Sequence, residues 1–357
     1  MHNFAKNLLA WFDIHGRSNL PWQHPRTPYR VWISEVMLQQ TQVRTVIPYF
    51  ERFALALPAL KDLADAPQDR VLALWSGLGY YSRARNLQRS AQLCVAQHDG
   101  ELPRNMESLS ALPGIGRSTA AAILAQAHGE PHAILDGNVR RVLARYHGVH
   151  GWPGNSAVQK QLWELAESHT PDKRVADYTQ AIMDLGALVC TRSKPRCSEC
   201  PLQDKCVAYR ENLTAALPHP KPARKVPTRD LTMLIVRDNL DRILLERRPP
   251  TGVWARLWSL PQGVDLEEAS DSIMDHRSMP SDRLALLPEF THAFSHYRIN
   301  VTPMLLQIDN SESRIADNPD RGWYSHHEIA ELGLPAPVRK LLASLFTETR
   351  SCEPSTA

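Results

Sequence analysis

The stretch Leu112–Asp136, LPGIGRSTAAAILAQAHGEPHAILD, combines a glycine turn with a helix of small residues. Gly114 and Gly116 permit a tight turn that places no side chain over the backbone. The amides after the turn open a helix predicted from Ser118 onward, and unpaired amides at a helix N-terminus bind a phosphate oxygen. The alternative is an ordinary helix–turn–helix in which Asp136 caps the next helix, NVRRVLARY.

Length and charge indicate two parts. A chain of 357 residues can form two domains with separate hydrophobic cores. Its net charge of +3 is unevenly distributed, because residues 1–229 carry +9 and residues 230–357 carry −6. The basic part predicts a polyanionic partner. We find no run apolar enough to span a membrane and no signal peptide at the start, so we expect a soluble cytoplasmic protein.

Four cysteines form a compact motif, C-x6-C-x2-C-x5-C, at Cys190, Cys197, Cys200 and Cys206. Such bunching in a chain of this size argues against a secreted disulfide framework and predicts a metal centre. A structural zinc site usually pairs two C-x2-C knuckles, and this segment has one. The spacing therefore favours a 4Fe–4S cluster held by all four thiolates.

One acidic residue lies within an apolar helix. The helix is predicted to begin at Thr27-Pro28, with threonine as cap and proline in the first turn, and it contains Glu35 among valine, tryptophan, isoleucine and methionine side chains. Burial raises the pKa of a carboxyl, so Glu35 can hold a proton near neutrality. The alternative places Glu35 at the edge of the apolar face, paired with Arg30 or Arg44.

Two further segments each allow two interpretations. The turn GLGYYSRAR, residues 77–85, can insert side chains between bases with its arginines on phosphates, or it can be a helix corner with Tyr80 and Tyr81 packed inside. The polar cluster after the Glu35 helix can hydrogen-bond base edges or form a solvated turn. Its members are Gln39, Gln40, Thr41 and Gln42.

The composition changes beyond residue 216. Residues 217–229, LPHPKPARKVPTR, predict an extended, basic, proline-rich linker. The runs LTMLIVRD and RILLERR that follow predict strands, and FSHYRINVTPMLLQI predicts another strand pair. We therefore predict a multidomain protein, with an all-α domain over 1–216 that includes the cysteine loop 190–206, an α+β domain over 230–348, and a tail at 349–357.

Taken together, these motifs resemble the MutY family of adenine DNA glycosylases, within the helix-hairpin-helix superfamily of endonuclease III. The resemblance covers nearly the whole chain and rests on LPWQ, SEVMLQQTQV, GLGYYSRARNL, LPGIGRST, ILDGNVRRVLAR, the cysteine loop and FSH at 294–296. It implies a helical helix-hairpin-helix glycosylase domain and a C-terminal Nudix-like domain. The Nudix hydrolase box should follow Gly263, but the text there is VDLEEASDSIMDHRSM, so we expect no metal-dependent hydrolysis.

The resemblance also implies a reaction. It is that of a monofunctional adenine glycosylase of base excision repair, which flips adenine out of an A:8-oxoguanine or A:G mispair in double-stranded DNA and removes it with water. Glu35 would protonate the adenine, and an ionised Asp136 would stabilise the oxocarbenium-like sugar, with Asn138 orienting it. Bifunctional relatives carry a lysine where this chain has Ser118, which cannot form a Schiff base, so little or no lyase activity is expected.

Contact residues follow from the same resemblance. The adenine pocket and the wedge into the duplex are expected to involve Arg17, Trp22, Gln40, Leu78 and Tyr80. Other DNA contacts are expected at Gln39, Thr41, Gln42, Gly114, Gly116 and Arg140. The loop of Phe294, Ser295 and His296 is expected to inspect 8-oxoguanine. We expect a monomer associated with the nucleoid.

Three other functions fit parts of the sequence. An endonuclease III-like lyase acting on oxidised pyrimidines is disfavoured by Ser118 and by the additional domain. A non-enzymatic mismatch binder would be favoured by loss of Glu35 or Asp136, and both are present. A Nudix-type nucleotide hydrolase is disfavoured by the missing box.

Overall fold

The computed structural model describes residues 3–222, 226–271, 283–294, 297–308 and 319–351. The chain forms two compact units, one of Met1–Ala66 with Arg85–Ala223 and the other of Pro67–Ala84 with Arg224–Ala357. The first unit is helical, and the second combines a mixed sheet with helices. The predicted fold class, a helical region followed by an α+β region, is confirmed.

Helices make up the described chain as far as the linker. They are α1 Asn3–His15, α2 Pro28–Leu38, α3 Val43–Ala56, α4 Leu60–Asp65, α5 Gln68–Trp75, α6 Ser82–Gln97, α7 Met106–Ala111, α8 Arg117–His128, α9 Gly137–His147, α10 Ser156–His169, α11 Val175–Asp184 and α12 Val207–Arg210. The start of α2 is as predicted, because the Thr27 side chain accepts a hydrogen bond from the Arg30 amide.

Helix α8 lies inside the first unit, where it packs against α2 and α11. Its alanines at positions 120, 121, 122 and 125 are all buried, as are Ile123 and Leu124. Small side chains allow neighbouring backbones to approach closely, so α8 can be surrounded by other helices rather than lying on a surface. This burial brings α2 and the start of α9 to the same helix.

The second unit is built on a mixed sheet. Its strands are β1 Thr228–Arg237, β2 Ile243–Arg247, β3 Trp258–Ser259, β4 Gln262–Gly263, β5 Leu284–Leu286, β6 Phe290–Ala293, β7 Arg298–Gln307 and β8 Arg321–Tyr324. The main order is β3-β2-β1-β7-β5, with β4 on β1, β6 on β7 and β8 on β2. β1 and β7 run parallel, from Thr228 opposite Arg298 to Arg237 opposite Gln307.

Alternate residues of β1 contribute to two separate cores. Met233 and Ile235 pack with α15, Ala336–Ser351, and α14, His326–Ala330, through residues such as Leu342. Leu234 and Val236 pack on the other face, where α13, Leu266–Asp271, contributes Ala269. Successive side chains of a strand point to opposite faces, so a continuous apolar run indicates a sheet covered on both sides.

One prediction for this region is wrong, and one predicted domain differs in extent from the compact units. The predicted strand pair is wrong, because residues 298–307 form the single strand β7, which pairs antiparallel with the preceding strands β5 and β6. Residues 67–84, which we assigned to the helical domain, belong to the second unit. The reason is packing and hydrogen bonding within that unit, where the Tyr81 hydroxyl donates to the Leu334 carbonyl at 2.7 Å and Asp69 pairs with Arg247.

No helix in the described ranges is both long enough and apolar enough to cross a lipid bilayer.

Candidate active site

Two carboxyl groups occupy the centre of the first unit. Glu35 lies on α2, and Asp136 is the residue immediately before α9. From α8, the buried Gln126 donates its side-chain N–H to Glu35 at 2.8 Å. The charge of Asp136 acts on the Glu35 carboxyl, so the two acids form one electrostatic unit. Glu35 and Asp136, far apart in sequence, are thus brought together by α8.

The pKa of Glu35 is strongly shifted. It is raised to about 7, chiefly by burial and then by the charge of Asp136, while the hydrogen bond from Gln126 acts in the opposite direction. The alternative pairing with Arg30 is wrong, since the Arg30 guanidinium donates to the Pro21 carbonyl and lies over the Phe50 ring. Glu35 can therefore carry a proton at neutral pH, as the apolar sequence around it predicted.

Asp136 is both the cap of α9 and a member of the acid pair. Its carboxylate accepts the Val139 amide at 2.8 Å, which is the capping role named as the alternative. Burial raises the pKa of Asp136, while amide hydrogen bonds from Val139 and Asn138 and the charges of Arg141 and Arg140 lower it. Only Asp136 of the two acids has backbone amides and arginines that favour its ionised form, so we assign the negative charge to Asp136 and the proton to Glu35.

Ser118 and Asn138 adjoin Asp136 in different ways. The Ser118 hydroxyl accepts the amide of Leu135 at 3.0 Å and so fixes the backbone that leads into Asp136. The Asn138 side chain donates to Asp136 at 3.4 Å. A Cβ at Gly186 would lie 2.6 Å from the Cβ of Asn138, so the glycine permits this close approach.

The hairpin before α8 differs from the prediction in detail. Gly114 has a φ of 78°. An alanine at this position would place its Cβ 2.9 Å from the Cβ of Asn86. Gly116 does not need a positive φ, since its φ is −89°. The amide of Ile115 donates to the Leu112 carbonyl, so it is not one of the free amides, and α8 begins at Arg117. Gly116 and the first turn of α8 are exposed or partly exposed, and phosphate binding there stays a prediction.

A pocket of about 750 Å³ opens beside this hairpin. Its lining includes Gly116, Arg117, Ser118, Arg140, Lys160 and Trp163. Arg117 lies over the Trp163 ring, 3.9 Å from its centroid, and pairs with Glu167. The structure thus places the predicted DNA contacts Gly116 and Arg140 on one pocket surface, whose charged residues are Arg117, Arg140, Lys160, Glu164 and Glu167.

Arg17 and Trp22 have strong internal contacts. Arg17 donates its main-chain amide and its guanidinium to the Asp184 carboxylate at 2.6 to 3.0 Å, and Gln180 donates to the same carboxylate. Trp22 is 2 % exposed and packs edge-to-face on Phe50. Trp22 is therefore part of the core, and the expected adenine contacts of Arg17 and Trp22 stay predictions.

The polar cluster after α2 is exposed or partly exposed. The Gln39 side chain is 3.5 Å from the Thr119 hydroxyl, in the first turn of α8. Gln40 has a φ of 59°, a conformation that few side chains adopt. Gln42 immediately precedes α3 without capping it through its side chain. These residues are accessible, and their base contacts stay predictions.

The glycine–tyrosine turn presents one of its two tyrosines to solvent. Tyr80 is 48 % exposed with a φ of 48°, whereas Tyr81 is buried, so the helix-corner interpretation holds for Tyr81, and insertion of Tyr80 between bases stays a prediction. Arg83 is buried too, and it donates to the carbonyls of Leu78 and Gly79. Leu78 is 6 % exposed, which makes Tyr80 the more available side chain for insertion into a duplex.

The four cysteines of the loop line one pocket together with Arg145 and Tyr209. Cys190 follows a single turn of π-helix, Leu185–Val189, and Cys197 and Cys206 adjoin short 3₁₀ segments. A donor set of four thiols around a shared space fits an iron–sulfur cluster. Arg141 links this loop to the acid pair, since it donates to the Cys190 carbonyl at 2.7 Å and to the Asn138 side chain at 2.8 Å.

In the second unit, Phe294 belongs to an aromatic cluster. Its ring stacks on Tyr297 at 4.7 Å and contacts His292 and Trp254. The Phe294 amide donates to the Tyr297 carbonyl and closes the turn between β6 and β7. Ser295 and His296, the other expected lesion contacts, lie outside the described residues.

Sequence analysis missed three residues of this site. Gln126 was detectable as the lone amide in the apolar run AAAILAQAH. Arg141 and Arg145 are spaced one turn apart on α9, but nothing in that spacing indicates that both would face the cysteine loop. In the cysteine loop their partners are main-chain carbonyls and a sulfur, which leave no pattern in sequence.

Comparisons with known proteins first define the class. Residues 33–168 match the family profile described as HhH-GPD superfamily base excision DNA repair protein, residues 190–206 match the iron-sulfur binding domain of endonuclease III, and residues 232–344 match the NUDIX domain. The helical unit is also similar to a solved thermostable thymine-DNA glycosylase, with a TM-score of 0.54, 30 % identity and coverage of 58 % of this chain and 95 % of that one. The chain is thus a helix-hairpin-helix base excision repair protein with an iron–sulfur cluster.

Its family is narrower than this class. The chain is 37 % identical over 339 residues to the adenine DNA glycosylase of Buchnera aphidicola subsp. Acyrthosiphon pisum, covering 95 % of this chain and 96 % of that protein. It is 33 % identical over 401 residues to the adenine DNA glycosylase of Homo sapiens, covering 95 % and 73 %. The chain belongs to the MutY family of adenine DNA glycosylases, and the predicted iron–sulfur cofactor is confirmed.

Proposed function

We propose that this protein is a monofunctional adenine DNA glycosylase that removes adenine paired with 8-oxoguanine or guanine. The observation that carries the proposal is the acid pair. Glu35 has a pKa of about 7, and the nearby Asp136 carboxylate accepts a hydrogen bond from the Val139 amide. One proton donor and one anion in contrasting surroundings suit cleavage of a glycosidic bond.

The reaction needs a leaving group better than the adenine anion. Glu35 transfers its proton to N7 of the flipped base, and the bond between N9 and C1′ breaks with its electron pair going to the base. The positive charge that develops on the sugar is stabilised by Asp136, which Asn138 and Ser118 hold in place. Water then adds to C1′ and loses a proton, so the products are adenine and an abasic site.

Binding to duplex DNA is proposed at the hairpin. The exposed backbone at Gly114 and Gly116 and the first turn of α8 would hold a phosphate, and Arg140 adds charge beside them. Tyr80 and Gln40 would contact the bases around the extruded adenine. The bound cluster would hold the cysteine loop in shape next to this surface. A monomer acting at the nucleoid is sufficient for the whole reaction.

Recognition of 8-oxoguanine is proposed for the second unit. The turn that begins at Phe294 is braced by Tyr297, His292 and Trp254, so its aromatic ring is held by its neighbours. Ser295 and His296 follow it in sequence and would supply polar groups. Oxidation gives guanine an N7–H donor, which an acceptor in this turn can distinguish from ordinary guanine.

The test is single-turnover excision on a duplex with one adenine opposite 8-oxoguanine, with and without alkali. We expect strand breaks only after alkali, because hydrolysis leaves an intact abasic strand. Borohydride should trap no covalent product, since Ser118 offers no amine. Breaks without alkali or a trapped product would identify a lyase, and tight binding without excision would identify a mismatch binder.

The same assay tests the recognition turn. Phe294→Ala together with Ser295→Ala should reduce the ratio of excision rates opposite 8-oxoguanine and opposite guanine. The matched control is Leu286→Ala, which removes an exposed apolar side chain on β5. An unchanged ratio in the double variant would move lesion recognition to other residues.

A further inference from the structure

Arg145 is a buried cation at the C-terminal end of α9. It is 2 % exposed. Its guanidinium donates to the carbonyls of Leu217 at 2.8 Å, Thr191 at 2.7 Å and Arg192 at 3.1 Å. It also donates to the Cys190 sulfur at 3.4 Å. All these partners other than the Cys190 sulfur are neutral carbonyl oxygens.

A buried guanidinium needs more than hydrogen bonds. Carbonyl oxygens satisfy its N–H groups, but they do not neutralise its charge, and an uncompensated buried charge is costly. Within the described part of the chain, Arg145 pairs with no carboxylate. Arg141 lies one turn earlier on α9 and adds a second positive charge, which acts unfavourably on that of Arg145. Like charges at this spacing are mutually unfavourable, and Asp136 and Cys190 both act favourably on the charge of Arg141.

We propose that Arg145 is the countercharge of the iron–sulfur cluster, through its contact with Cys190, and that its charge raises the reduction potential of that cluster. Four thiolates make the bound cluster a net anion, and its negative charge grows on reduction. A fixed cation in contact with one ligand sulfur therefore favours the reduced form, because charge and hydrogen bonds at the sulfurs set the potential.

The competing explanation is a purely mechanical role. By joining the carbonyls of Thr191 and Arg192 to that of Leu217, Arg145 holds the start of the cysteine loop against the beginning of the linker. Arg145→Lys keeps the positive charge but loses most of the N–H groups that donate to these carbonyls. Arg145→Gln keeps some hydrogen bonding but loses the charge. The two variants therefore separate charge from attachment.

The experiment is a redox titration of the cluster-loaded, full-length protein without DNA, with iron per chain measured in parallel. We expect Arg145→Gln to change the ratio of reduced to oxidised cluster at a fixed potential at least tenfold toward the oxidised form, a downward shift of about 59 mV. Arg145→Lys should stay within about threefold of the parent protein, roughly half that shift. The matched control is Arg210→Gln, which removes an exposed guanidinium that solvent already screens.

Loss of the cluster would also be informative. If Arg145→Gln fails to retain iron while Arg145→Lys retains it at an unshifted potential, the charge is what the cluster needs, and the proposal holds. An unshifted potential in Arg145→Gln overturns it. So do equal shifts, or equal loss of iron, in the two variants, because these outcomes assign Arg145 a role in attachment alone.

Discussion

At the residue scale, the protein buries two carboxyl groups, and only Asp136 receives amide hydrogen bonds and nearby arginine charges that favour its ionised form. Glu35 has an amide side chain as its partner, and Asp136 has backbone amides at a helix start. The difference in surroundings, rather than residue type, separates the two roles.

Glu35→Gln should stabilise the folded protein at neutral and alkaline pH. The folded pKa of Glu35 is about 7, against 4.5 for an unperturbed glutamate, so the folded state binds more protons between these values, and stability falls as pH rises through this window. Above it, removing the carboxyl should add up to about 3 kcal/mol to the free energy of unfolding, with no gain below about pH 4. Urea unfolding midpoints of the parent and the variant, measured above the folded pKa of Glu35 and again below about pH 4, test this difference in stability.

The control for this stability experiment is Glu51→Gln, which removes an exposed carboxylate from α3 and should change stability equally little at both pH values. Excision should be lost in Glu35→Gln. A variant that is no more stable than the parent at alkaline pH would contradict the raised pKa.

Gln126→Leu should move the alkaline limb of the pH–rate profile to higher pH. The hydrogen bond from Gln126 favours the ionised form of Glu35, so its loss raises the pKa of the carboxyl and extends the range in which the acid is protonated. Single-turnover rates measured across pH test this. In the control Gln88→Leu, a buried amide that donates to the Ala66 carbonyl is lost, so stability should fall by about 1 to 3 kcal/mol without a shift of the limb. A limb that stays in place in Gln126→Leu would exclude this tuning.

At the element scale, the hairpin and α8 join two tasks. Arg117, in the first turn of α8, lines the pocket together with Arg140 of α9. Further along α8, the Gln126 side chain donates a hydrogen bond to Glu35. Ser118, between them, holds the backbone of Leu135. The single helix α8 thereby positions both the proposed phosphate-binding backbone and the acid pair. A shift of α8 would affect both.

The two hairpin glycines should respond differently to alanine. Gly114→Ala should cost about 1 to 2 kcal/mol of stability, because its φ is positive and its new Cβ would meet Asn86. Gly116→Ala meets no atom within 4 Å and has an ordinary φ, so stability should be nearly unchanged. Its methyl group would nevertheless obstruct the exposed amides and weaken duplex binding about tenfold. Thermal melting and binding titrations of both variants distinguish these effects. Full duplex affinity in Gly116→Ala would show that the hairpin is not part of the DNA-binding surface.

At the scale of the whole molecule, the two compact units do not follow the order of the chain. Residues 67–84 are part of the second unit, although helical segments of the first unit precede and follow them. A cut in the linker therefore separates these residues from partners such as Leu334 and Arg247. The proline-rich linker is consequently not a clean boundary for truncation.

Tyr81→Phe provides a test of this arrangement. In the full chain it removes a buried hydroxyl that donates to the Leu334 carbonyl, and it should cost about 1 kcal/mol. In a chain ending at residue 222 the carbonyl is absent, so the same substitution should cost much less. Tyr80→Phe is the control, because that hydroxyl belongs to an exposed side chain, and it should change little in either chain. Equal costs of Tyr81→Phe in the two chains would contradict the assignment of residues 67–84.

Local patterns were sufficient for several features. The cap at Thr27, the buried alanine helix, the cysteine motif and the apolar setting of Glu35 follow from neighbouring residues, because helix starts, burial and ligand spacing are local properties. The partners of these groups were not predictable. Gln126 reaches Glu35 across 91 positions of sequence, and Arg145 reaches the Leu217 carbonyl across 72. Such contacts depend on how helices pack against one another, and main-chain acceptors carry no sequence signal. The chemistry of individual residues and the local helix starts therefore followed from the sequence alone. The pairing of the two acids, the grouping of residues 67–84 with the second unit and the burial of Arg145 depended on long-range packing in the tertiary structure.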